Sequence, residues 1–229
     1  MKFSTNILLR NYSVALHRVR ACRELFWRYM GARTKRSLDL VAIVLSLPLT
    51  IPIFLICIFS IKVNSRGPAF FTQKRVGKNG ELFDFYKFRS MVINAEKLKD
   101  ELIEKNESKD GVIFKMKDDP RITKVGKFLR RTSLDELPQL INILKGDMTL
   151  VGPRPPVPRE VNEYNLNERK RLDVVPGLTC IWQVSGRSEV PFKQQVVMDK
   201  DYIRTRSFRK DLMLLFKTIP AVLFGKGAY

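Results

Sequence analysis

The hydrophobic pattern changes twice along the chain. In the first 30 residues, apolar side chains recur at helical spacing, so that Leu8, Val19 and Phe26 share one face and basic residues lie largely opposite. Residues 40–61 then form a run of 22 residues without a charged side chain. Beyond this run, short alternating and helical patterns return, which predicts a soluble domain over residues 62–229.

The uncharged run is long enough to enter a membrane. As a straight helix it would extend about 33 Å, which matches the hydrocarbon core of a bilayer. Its late start and the lack of a following A-x-A cleavage site argue against a signal peptide. A buried core helix is the alternative, but uncharged runs of this length are typical of membrane segments.

Two features favour a re-entrant helix over residues 37–61, which enters the bilayer and returns to the same side. Pro48 and Pro52 interrupt the run, and each removes a backbone donor and clashes with the preceding turn. Lys and Arg residues flank both ends, and positive flanks prefer the cytoplasmic face. A proline-kinked transmembrane helix stays open as the alternative, since such helices are common.

The segment before this run, residues 1–36, carries nine Lys or Arg residues and one acidic residue, Glu24. A basic amphipathic helix with aromatic residues near its end is suited to the surface of an anionic leaflet. We therefore predict an interfacial segment, with a helix packed on the soluble domain as the alternative.

The remaining residues, 62–229, predict a small, mostly helical α+β domain with one β-hairpin, anchored by the membrane helix. Two stretches rich in Phe, Tyr and Val, residues 69–76 and 82–91, flank a glycine-containing turn. Helices are predicted over residues 92–106, 122–131, 134–144 with Gly146 closing the helix, 159–172, 191–204 and 208–224.

The composition narrows the classes of partner. The chain carries 42 Lys and Arg against 23 Asp and Glu, a formal net charge of +19, which indicates an anionic partner. No nucleic-acid motif occurs, so phosphorylated substrates and membrane lipids are expected rather than nucleic acid. The single histidine, His17, excludes a multi-histidine zinc site, and three widely spaced cysteines fit a reducing compartment.

The stretch RRTSLDELPQL contains two adjacent carboxylates. Ser133 and Glu136 have the spacing of a capping box, which predicts the start of a helix. Asp135 would then lie in the first turn, where free N–H groups attract anions, with Arg130 just upstream. A carboxylate in these surroundings can ligate Mg²⁺ or attack phosphorus, whereas the structural alternative is a simple helix cap.

Other basic residues occur in settings suited to phosphate. The Gly-Pro-Arg-Pro-Pro stretch holds Arg154 between rigid residues, so little side-chain entropy is lost on binding. Alternation in FYKFR puts Lys87 and Arg89 on one strand face, and a glycine-punctuated loop ends in Arg187. The structural alternative is a plain surface turn for Arg154 and a solvated strand face for Lys87 and Arg89.

These stretches occur in an order that resembles the bacterial sugar transferase family, the monotopic polyprenyl-phosphate phosphoglycosyl transferases. The motifs are KRSLDL, FFTQKRVGKNG, FYKFRSM, RRTSLDELPQLINILKGDMTLVGPRPP, VVPGLTCIWQVSGR and DKDYI. Each motif is weak alone, but the ordered set over residues 34–229 is highly specific. The chain resembles the minimal, single-module form of the family.

The resemblance implies a reaction. Family members transfer a sugar-1-phosphate from a nucleotide sugar, usually a UDP-sugar, to polyprenyl (undecaprenyl) phosphate and release UMP. They use Mg²⁺ and a covalent phosphosugar intermediate on the aspartate of an Asp-Glu dyad, which matches Asp135 and Glu136. Asp135 is also the expected metal ligand. The predicted substrate-binding residues are Lys87, Arg89, Arg130, Arg154, Arg187 and, in the DKDYI motif, Asp199.

The resemblance also bears on the membrane helix. The family's first helix is re-entrant and breaks at a proline that matches Pro52, and Pro48 lies one turn earlier. Ile51 stands where the family usually has a serine, a departure that concerns the hydrogen bonding at the break. Cys180 stands where a glycine is common, in the loop before the Trp-Gln-Val segment.

The resemblance implies a monotopic protein on the cytoplasmic face of the bacterial inner membrane, acting in exopolysaccharide, capsule, O-antigen or glycoprotein glycan synthesis. The expected partners are a nucleotide sugar, polyprenyl phosphate, membrane lipids and downstream glycan-assembly enzymes. The alternative function is a membrane-tethered basic binding protein without catalysis. That alternative explains the charge but gives no role to the Asp-Glu dyad.

Cysteine labelling tests the hairpin topology. In a background in which the native cysteines are replaced, Arg36→Cys and Asn64→Cys should both react with an impermeant maleimide from the cytoplasmic side alone. The reason is the positive flank at each end of the apolar run, which favours the same face for both. Labelling of the two positions from opposite sides would establish a spanning helix instead.

Overall fold

A computed structural model describes the backbone of residues 2–95, 97–98, 102, 116 and 118–224, and the side chains of those between residues 31 and 222. The chain divides into two compact units, Met1–Ala42 and Ile43–Tyr229. The helix predicted over residues 92–106 lies mostly outside the described residues, as does the apolar face predicted within the first 30. All the predicted site residues belong to the second unit.

Helix α1 comprises Lys2–Asn64 and includes both Pro48 and Pro52. Its segment Gly31–Asn64 is long and apolar enough to cross a membrane. Only 11% of its most apolar window is buried, whereas the core helix of a soluble protein is mostly buried. Its large exposed apolar side chains include Leu45, Leu49, Leu55, Ile56, Phe59 and Val63. A bent helix and a straight helix would both have the bounds Lys2–Asn64, so the break at the prolines stays a prediction.

The predicted β-hairpin follows α1. Strands β1 (Phe70–Val76) and β2 (Leu82–Phe88) pair antiparallel, with Phe70 opposite Phe88. Asn79, in the connecting turn, has a φ of 57°, a left-handed conformation that asparagine adopts more readily than most residues. The hairpin places Lys87 one residue before the end of β2.

Two residues of the apolar run, Ile43 and Ile61, pack against β2 within the second unit. Near the end of α1, Ile61 belongs to the same buried cluster as Phe88 of β2. At the other end of the run, Ile43 belongs to a cluster with Phe85 of the same strand. Strand β2 is therefore packed along the part of α1 between Ile43 and Ile61.

Two helices follow the hairpin, and both begin later than predicted, the first by two residues and the second by five. Helix α2 is Lys124–Arg131, and the Oγ1 of Thr123 caps it by accepting a hydrogen bond from the Gly126 N–H at 2.9 Å. Helix α3 is Gln139–Lys145 and ends before Gly146, as predicted. The predicted start of α3 was wrong, because Leu134–Glu136 form a separate 3₁₀ turn.

Asn142 of α3 fastens this helix to β2. Its side chain is fully buried; Oδ1 accepts a hydrogen bond from the Tyr86 N–H at 3.1 Å, and Nδ2 donates to the Asp84 carbonyl at 2.6 Å. The amide thus takes the place of a neighbouring strand for these two backbone groups. The contact fixes β2 relative to the segment that carries the Asp-Glu dyad.

A second, parallel strand pair was not predicted. Strands β3 (Thr149–Val151) and β4 (Gly177–Thr179) are three residues each. The glycines Gly152 and Gly177 allow the two backbones to meet, since a Cβ on Gly177 would lie 2.0 Å from the Gly152 nitrogen. This contact fixes the start of the loop that carries Arg154.

The C-terminal half is helical, and the mostly helical α+β class is confirmed. The helices are α4 (Pro158–Asn162), α5 (Leu166–Arg169), α6 (Ile181–Ser185), α7 (Phe192–Thr205) and α8 (Phe208–Phe224). The prediction of one helix over residues 159–172 was wrong. Asn165 starts a new helix there, because its Oδ1 accepts from the Glu168 N–H at 3.1 Å while Glu168 accepts from the Asn165 N–H at 2.8 Å.

Replacing Asn142 tests the link between α3 and β2. Asn142→Ala should lower the free energy of unfolding by about 2 kcal/mol, because the Tyr86 N–H and the Asp84 carbonyl both lose the partner that the buried Asn142 amide supplies. Denaturant unfolding would measure the change. The matched control, Asn162→Ala, removes an exposed amide and should change stability by less than about 0.5 kcal/mol. Equal effects of the two substitutions would contradict the assigned role.

Candidate active site

A cavity of about 700 Å³ lies among the hairpin, the 3₁₀ turn, the Arg154 loop and helices α6 and α8. Seven of the predicted site residues line it, namely Lys87, Arg89, Arg130, Asp135, Glu136, Arg154 and Arg187. A cavity of this volume is in the range that holds small-molecule substrates. The fold thus brings together residues that lie up to 100 positions apart in the sequence.

The Asp-Glu dyad lies in the 3₁₀ turn Leu134–Glu136, and Asp135 is buried. The capping box predicted from Ser133 and Glu136 was wrong. Ser133 has a φ of 55°, and its side chain makes no capping hydrogen bond; Oγ instead accepts a hydrogen bond from the Arg187 Nη2 at 3.2 Å. Glu136 cannot reach back to Ser133, because its carboxylate is held by two cations of the cavity.

Lys87 joins the two carboxylates. Its Nζ lies 3.3 Å from Oδ2 of Asp135 and 2.9 Å from Oε1 of Glu136. Both contacts are largely shielded from solvent, since the side-chain exposures are 20% for Lys87, 8% for Asp135 and 16% for Glu136. In such surroundings an ion pair is stronger than at the surface, and two adjacent carboxylates require a cation between them.

Arg154 supplies the second cation to Glu136. Its Nη1 donates to the same Oε1 at 3.0 Å. The loop from Gly152 to Pro156 carries it, and this loop is fixed at the Gly152–Gly177 contact and by the hydrogen bond from the Val76 N–H to the Pro156 carbonyl at 2.9 Å. The rigid setting predicted for Arg154 is therefore present, although the structure adds a carboxylate partner.

The two carboxylates differ in their proton affinity. Burial raises the pKa of Asp135, an effect that the charge of Lys87 opposes and the charge of Glu136 reinforces. Burial acts on Glu136 in the same way, but the charges of Arg154 and Lys87 outweigh it and hold the pKa of Glu136 below its usual range. Asp135 is thus the more basic carboxylate of the dyad, and a more basic oxygen is the stronger nucleophile once it is ionised.

The remaining predicted residues divide into two groups. Arg130 and Arg187 line the cavity near the dyad, and neither forms an ion pair with a described carboxylate. Arg89 lines it as well, but its guanidinium donates to the Ser65 and Arg66 carbonyls at 2.9 and 2.6 Å and so closes the end of α1. Arg89 and Lys87 are therefore not two equivalent ligands on one strand face.

Asp199 is not among the residues that line the cavity. Its Oδ2 accepts hydrogen bonds from Arg171, at 2.7 Å from Nη2 and 2.8 Å from Nε, and both side chains are buried. Burial raises the pKa of Asp199 to about 6, although the charge of Arg171 opposes the shift. The contacts of Asp199 connect α7 with the segment after α5 and do not reach the dyad.

Sequence patterns missed three of the cations that line the cavity, namely Arg75, Arg121 and Arg171. Arg75, in β1, lines the cavity wall, as does Gln73 two positions earlier. The period-2 alternation of strand side chains gives the signal that would have found it, because the two residues share a face.

The carboxylates of the cavity fit an Mg²⁺ ion in one binding mode, in which the substrate supplies part of the coordination. Within the described side chains, no group of three His, Cys, Asp or Glu residues forms a ready-made metal site. Asp135 and Glu136 nevertheless present two adjacent carboxylates at the cavity. Proteins commonly hold Mg²⁺ by one or two carboxylates together with substrate phosphates and water. The pair therefore fits an ion that is bound together with a phosphorylated substrate.

Comparison with known proteins finds matches over most of the chain, including all the residues of the cavity named above. The family model for bacterial sugar transferases matches residues 30–225. The galactosyl transferase CpsE of Streptococcus agalactiae is 44% identical over 204 residues, which are 89% of this chain and 45% of that protein. The undecaprenyl-phosphate galactose phosphotransferase of Salmonella typhimurium is 43% identical over 201 residues, 85% of this chain and 41% of that protein.

A shorter relative matches along nearly its whole length. The exopolysaccharide production protein ExoY of Sinorhizobium fredii is 40% identical over 205 residues, which are 88% of this chain and 91% of that protein. The chain thus spans less than half of the two longer relatives and most of the shorter one.

The raised pKa of Asp135 predicts a pH-dependent stability. A buried carboxylate whose pKa is raised destabilises the folded state when it is ionised, and this loss of stability is complete above the raised pKa. The loss of stability disappears below the ordinary pKa of an aspartate, about 3.9, where the carboxyl group is protonated in both states. Asp135→Asn should therefore raise the melting temperature at neutral pH. The gain should shrink as the pH is lowered through this window, as measured by thermal unfolding at a series of pH values.

The control for this measurement is Glu163→Gln, which neutralises an exposed carboxylate at the end of α4. It should change the melting temperature little at any pH. A lower melting temperature of Asp135→Asn at neutral pH would contradict the prediction and would show that the contact with Lys87 outweighs the cost of burial.

Proposed function

Because this chain belongs to the bacterial sugar transferase family, we propose that it transfers a sugar-1-phosphate from a UDP-sugar to polyprenyl phosphate and releases UMP. The name of the Salmonella relative joins undecaprenyl phosphate to the transfer of galactose phosphate. The names of the other two relatives refer to galactosyl transfer and exopolysaccharide production. The proposed setting is accordingly the first membrane step of exopolysaccharide or capsule synthesis, with downstream glycan-assembly enzymes as partners.

One observation carries the proposal. Two adjacent carboxylates are bridged by Lys87 and face a cavity that also holds arginines without a carboxylate partner among the described residues. The dyad supplies a nucleophile, and the arginines supply positive charge for a diphosphate. A basic binding protein without catalysis explains the arginines but not the buried Asp135 and the half-buried Glu136 beside them.

The first proposed step is attack by Asp135 on the donor. A carboxylate oxygen attacks the phosphorus that carries the sugar, an O–P bond forms, and the bond to the bridging oxygen of the diphosphate breaks. UMP leaves with that electron pair, and the sugar phosphate remains on Asp135 as an acyl phosphate. Asp135 accepts one side-chain hydrogen bond from the described residues, through Oδ2, so Oδ1 is the oxygen available for attack.

The second step returns the enzyme to its starting state. An oxygen of polyprenyl phosphate attacks the same phosphorus, the bond to Asp135 breaks, and the carboxylate is regenerated. Lys87 and Arg154 hold Glu136 ionised, and Glu136 in turn keeps both cations beside the reacting group. A bound Mg²⁺, held by Asp135 or Glu136 and substrate phosphate, would neutralise charge on the phosphates.

Membrane attachment through α1 is the second part of the proposal. A straight bilayer crossing would carry Ile43 and Ile61 toward opposite faces, yet both pack on the same compact unit. An apolar helix that enters from the cytoplasmic face and returns fits this packing and the exposed side chains. Phe70, which lines the cavity, lies 5.7 Å from Phe54 of α1 between ring centroids, so the cavity wall reaches the membrane helix.

The direct test is UMP release. The purified full chain would be incubated with polyprenyl phosphate, Mg²⁺ and each member of a panel of UDP-sugars. Release of UMP with at least one sugar, dependent on the lipid over many turnovers, is expected. No release with any UDP-sugar would overturn the proposal.

Asp135→Asn should abolish turnover, lowering the rate by about a thousandfold or more, because the amide is not a nucleophile. Glu136→Gln should also be severely impaired, because Lys87 and Arg154 lose the charge that holds them. Labelled UDP-sugar without lipid should leave a sugar-phosphate adduct on the wild type and none on Asp135→Asn.

The control, Glu163→Gln, should react like the wild type. An adduct on Asp135→Asn, or UMP release near the wild-type rate, would show that Asp135 is not the nucleophile.

A further inference from the structure

Of the three cavity cations that no sequence prediction included, Arg121 pairs with Asp119 and Arg171 with Asp199, whereas Arg75 forms no ion pair with a described residue. Along β1 the side chains alternate, so that Gln73 and Arg75 line the cavity. Lys74, between them, points to the other side of the hairpin and pairs with Asp84 at 2.8 Å, where it is 60% exposed. Neighbouring basic residues of one strand thus have different surroundings, one in solvent and one in the cavity wall.

The Arg75 guanidinium is held in a fixed orientation. Its Nη1 donates to the Pro155 carbonyl at 3.0 Å, and its Cζ lies 5.2 Å from the centroid of the Phe85 ring. Its Nε is buried and has no hydrogen-bond partner, while Nη2 forms no hydrogen bond to a described residue. A guanidinium held in this way loses little side-chain entropy when it binds a ligand.

No described carboxylate pairs with Arg75, although the other fixed cations beside the dyad have one. Lys87 and Arg154 are both bound to Glu136. Glu160 and Glu136 influence Arg75 through their charge alone; burial and the charge of Arg154 lower its pKa to about 10, so it stays charged at neutral pH. An unpaired charge inside a protein is costly, and a ligand anion would remove the cost.

We propose that Arg75 binds a phosphate group of the donor diphosphate directly, beside Arg154. Arg75 donates to the carbonyl of Pro155, the residue that follows Arg154, and both arginines line the cavity. The two guanidinium groups are close enough for the charge of Arg154 to act on Arg75. Two planar guanidinium groups match the several oxygens of a diphosphate better than one. This inference rests on the proposed function, since it assigns a residue to the donor of that reaction.

A second role has to be separated from this one. Because Arg75 bonds to Pro155, it also holds the loop of Arg154, and its removal could weaken phosphate binding through Arg154 alone. A direct ligand and a positioning residue differ in one measurable respect. Removal of Arg75 weakens binding further in a protein that already lacks Arg154 only if Arg75 touches the phosphate.

The experiment is calorimetric titration of the purified full chain with inorganic pyrophosphate. Arg75→Gln should weaken binding by about tenfold to a hundredfold, the usual range for a lost charge-assisted hydrogen bond. Lys74→Gln, the matched control on the same strand, should bind within about twofold of the wild type, since Lys74 is exposed and lies outside the cavity.

The double variant decides between the two roles. Arg75→Gln in an Arg154→Gln background should weaken pyrophosphate binding again by a similar factor. If it produces no further loss, Arg75 acts only on the loop and the inference is wrong. It is equally wrong if the wild type does not bind pyrophosphate. Release of UMP is measured separately, so either result leaves the proposed reaction to its own test.

Arg75→Lys covers the case in which Arg75→Gln fails to fold. Lysine keeps the charge and can still donate to the Pro155 carbonyl, but it offers a point charge instead of a planar fork. With a melting temperature close to that of the wild type, it should bind pyrophosphate severalfold more weakly. Unchanged affinity of Arg75→Lys would overturn the inference.

Discussion

The placement of Lys87 between Asp135 and Glu136 is the contact on which the rest of the site depends. Adjacent carboxylates in a shielded position repel each other and lose solvation, so they require a cation within a few ångströms. That cation comes from β2, while the second one, on Arg154, comes from a loop after β3. Three distant segments must therefore converge, and the Asn142 amide and the Gly152–Gly177 contact are what hold β2 and the loop in place.

The turn that carries the dyad is arranged for chemistry rather than for stability. Ser133 adopts a φ of 55°, which costs about 1 kcal/mol for a residue with a side chain. The turn also forgoes the capping box that its own sequence offers, because Glu136 is bound to Lys87 and Arg154. The turn departs from these local rules where two carboxylates of like charge lie largely shielded from solvent, and functional sites are where such departures are expected.

The sequence predicted the features that depend on residues close together in the chain and missed those that depend on contacts between distant segments. The hairpin and the helices α7 and α8 were predicted because their turn and periodicity signals lie within a few residues. The parallel pair of β3 and β4 could not be predicted, since each strand has three residues and its partner lies in a distant segment. Arg89 and Asp199 show the same limit: a basic or acidic residue in a motif looks alike whether it faces a ligand, a helix end or a buried arginine.

A cluster of aromatic rings links α1 to the dyad. Phe54 of α1 lies 4.8 Å from Phe88 and 5.7 Å from Phe70 between ring centroids, and Phe70 and Phe88 stack on each other at 5.5 Å. Phe88 directly follows Lys87, so the residue that orients the dyad is one position from the residue that anchors β2 on α1. On the proposed function, the acceptor phosphate lies at the depth of the lipid headgroups. Because the position of the nucleophile is fixed relative to the apolar helix, the nucleophile is held at a constant height above the hydrocarbon. A lipid phosphate and a soluble diphosphate can then reach the same aspartate in turn.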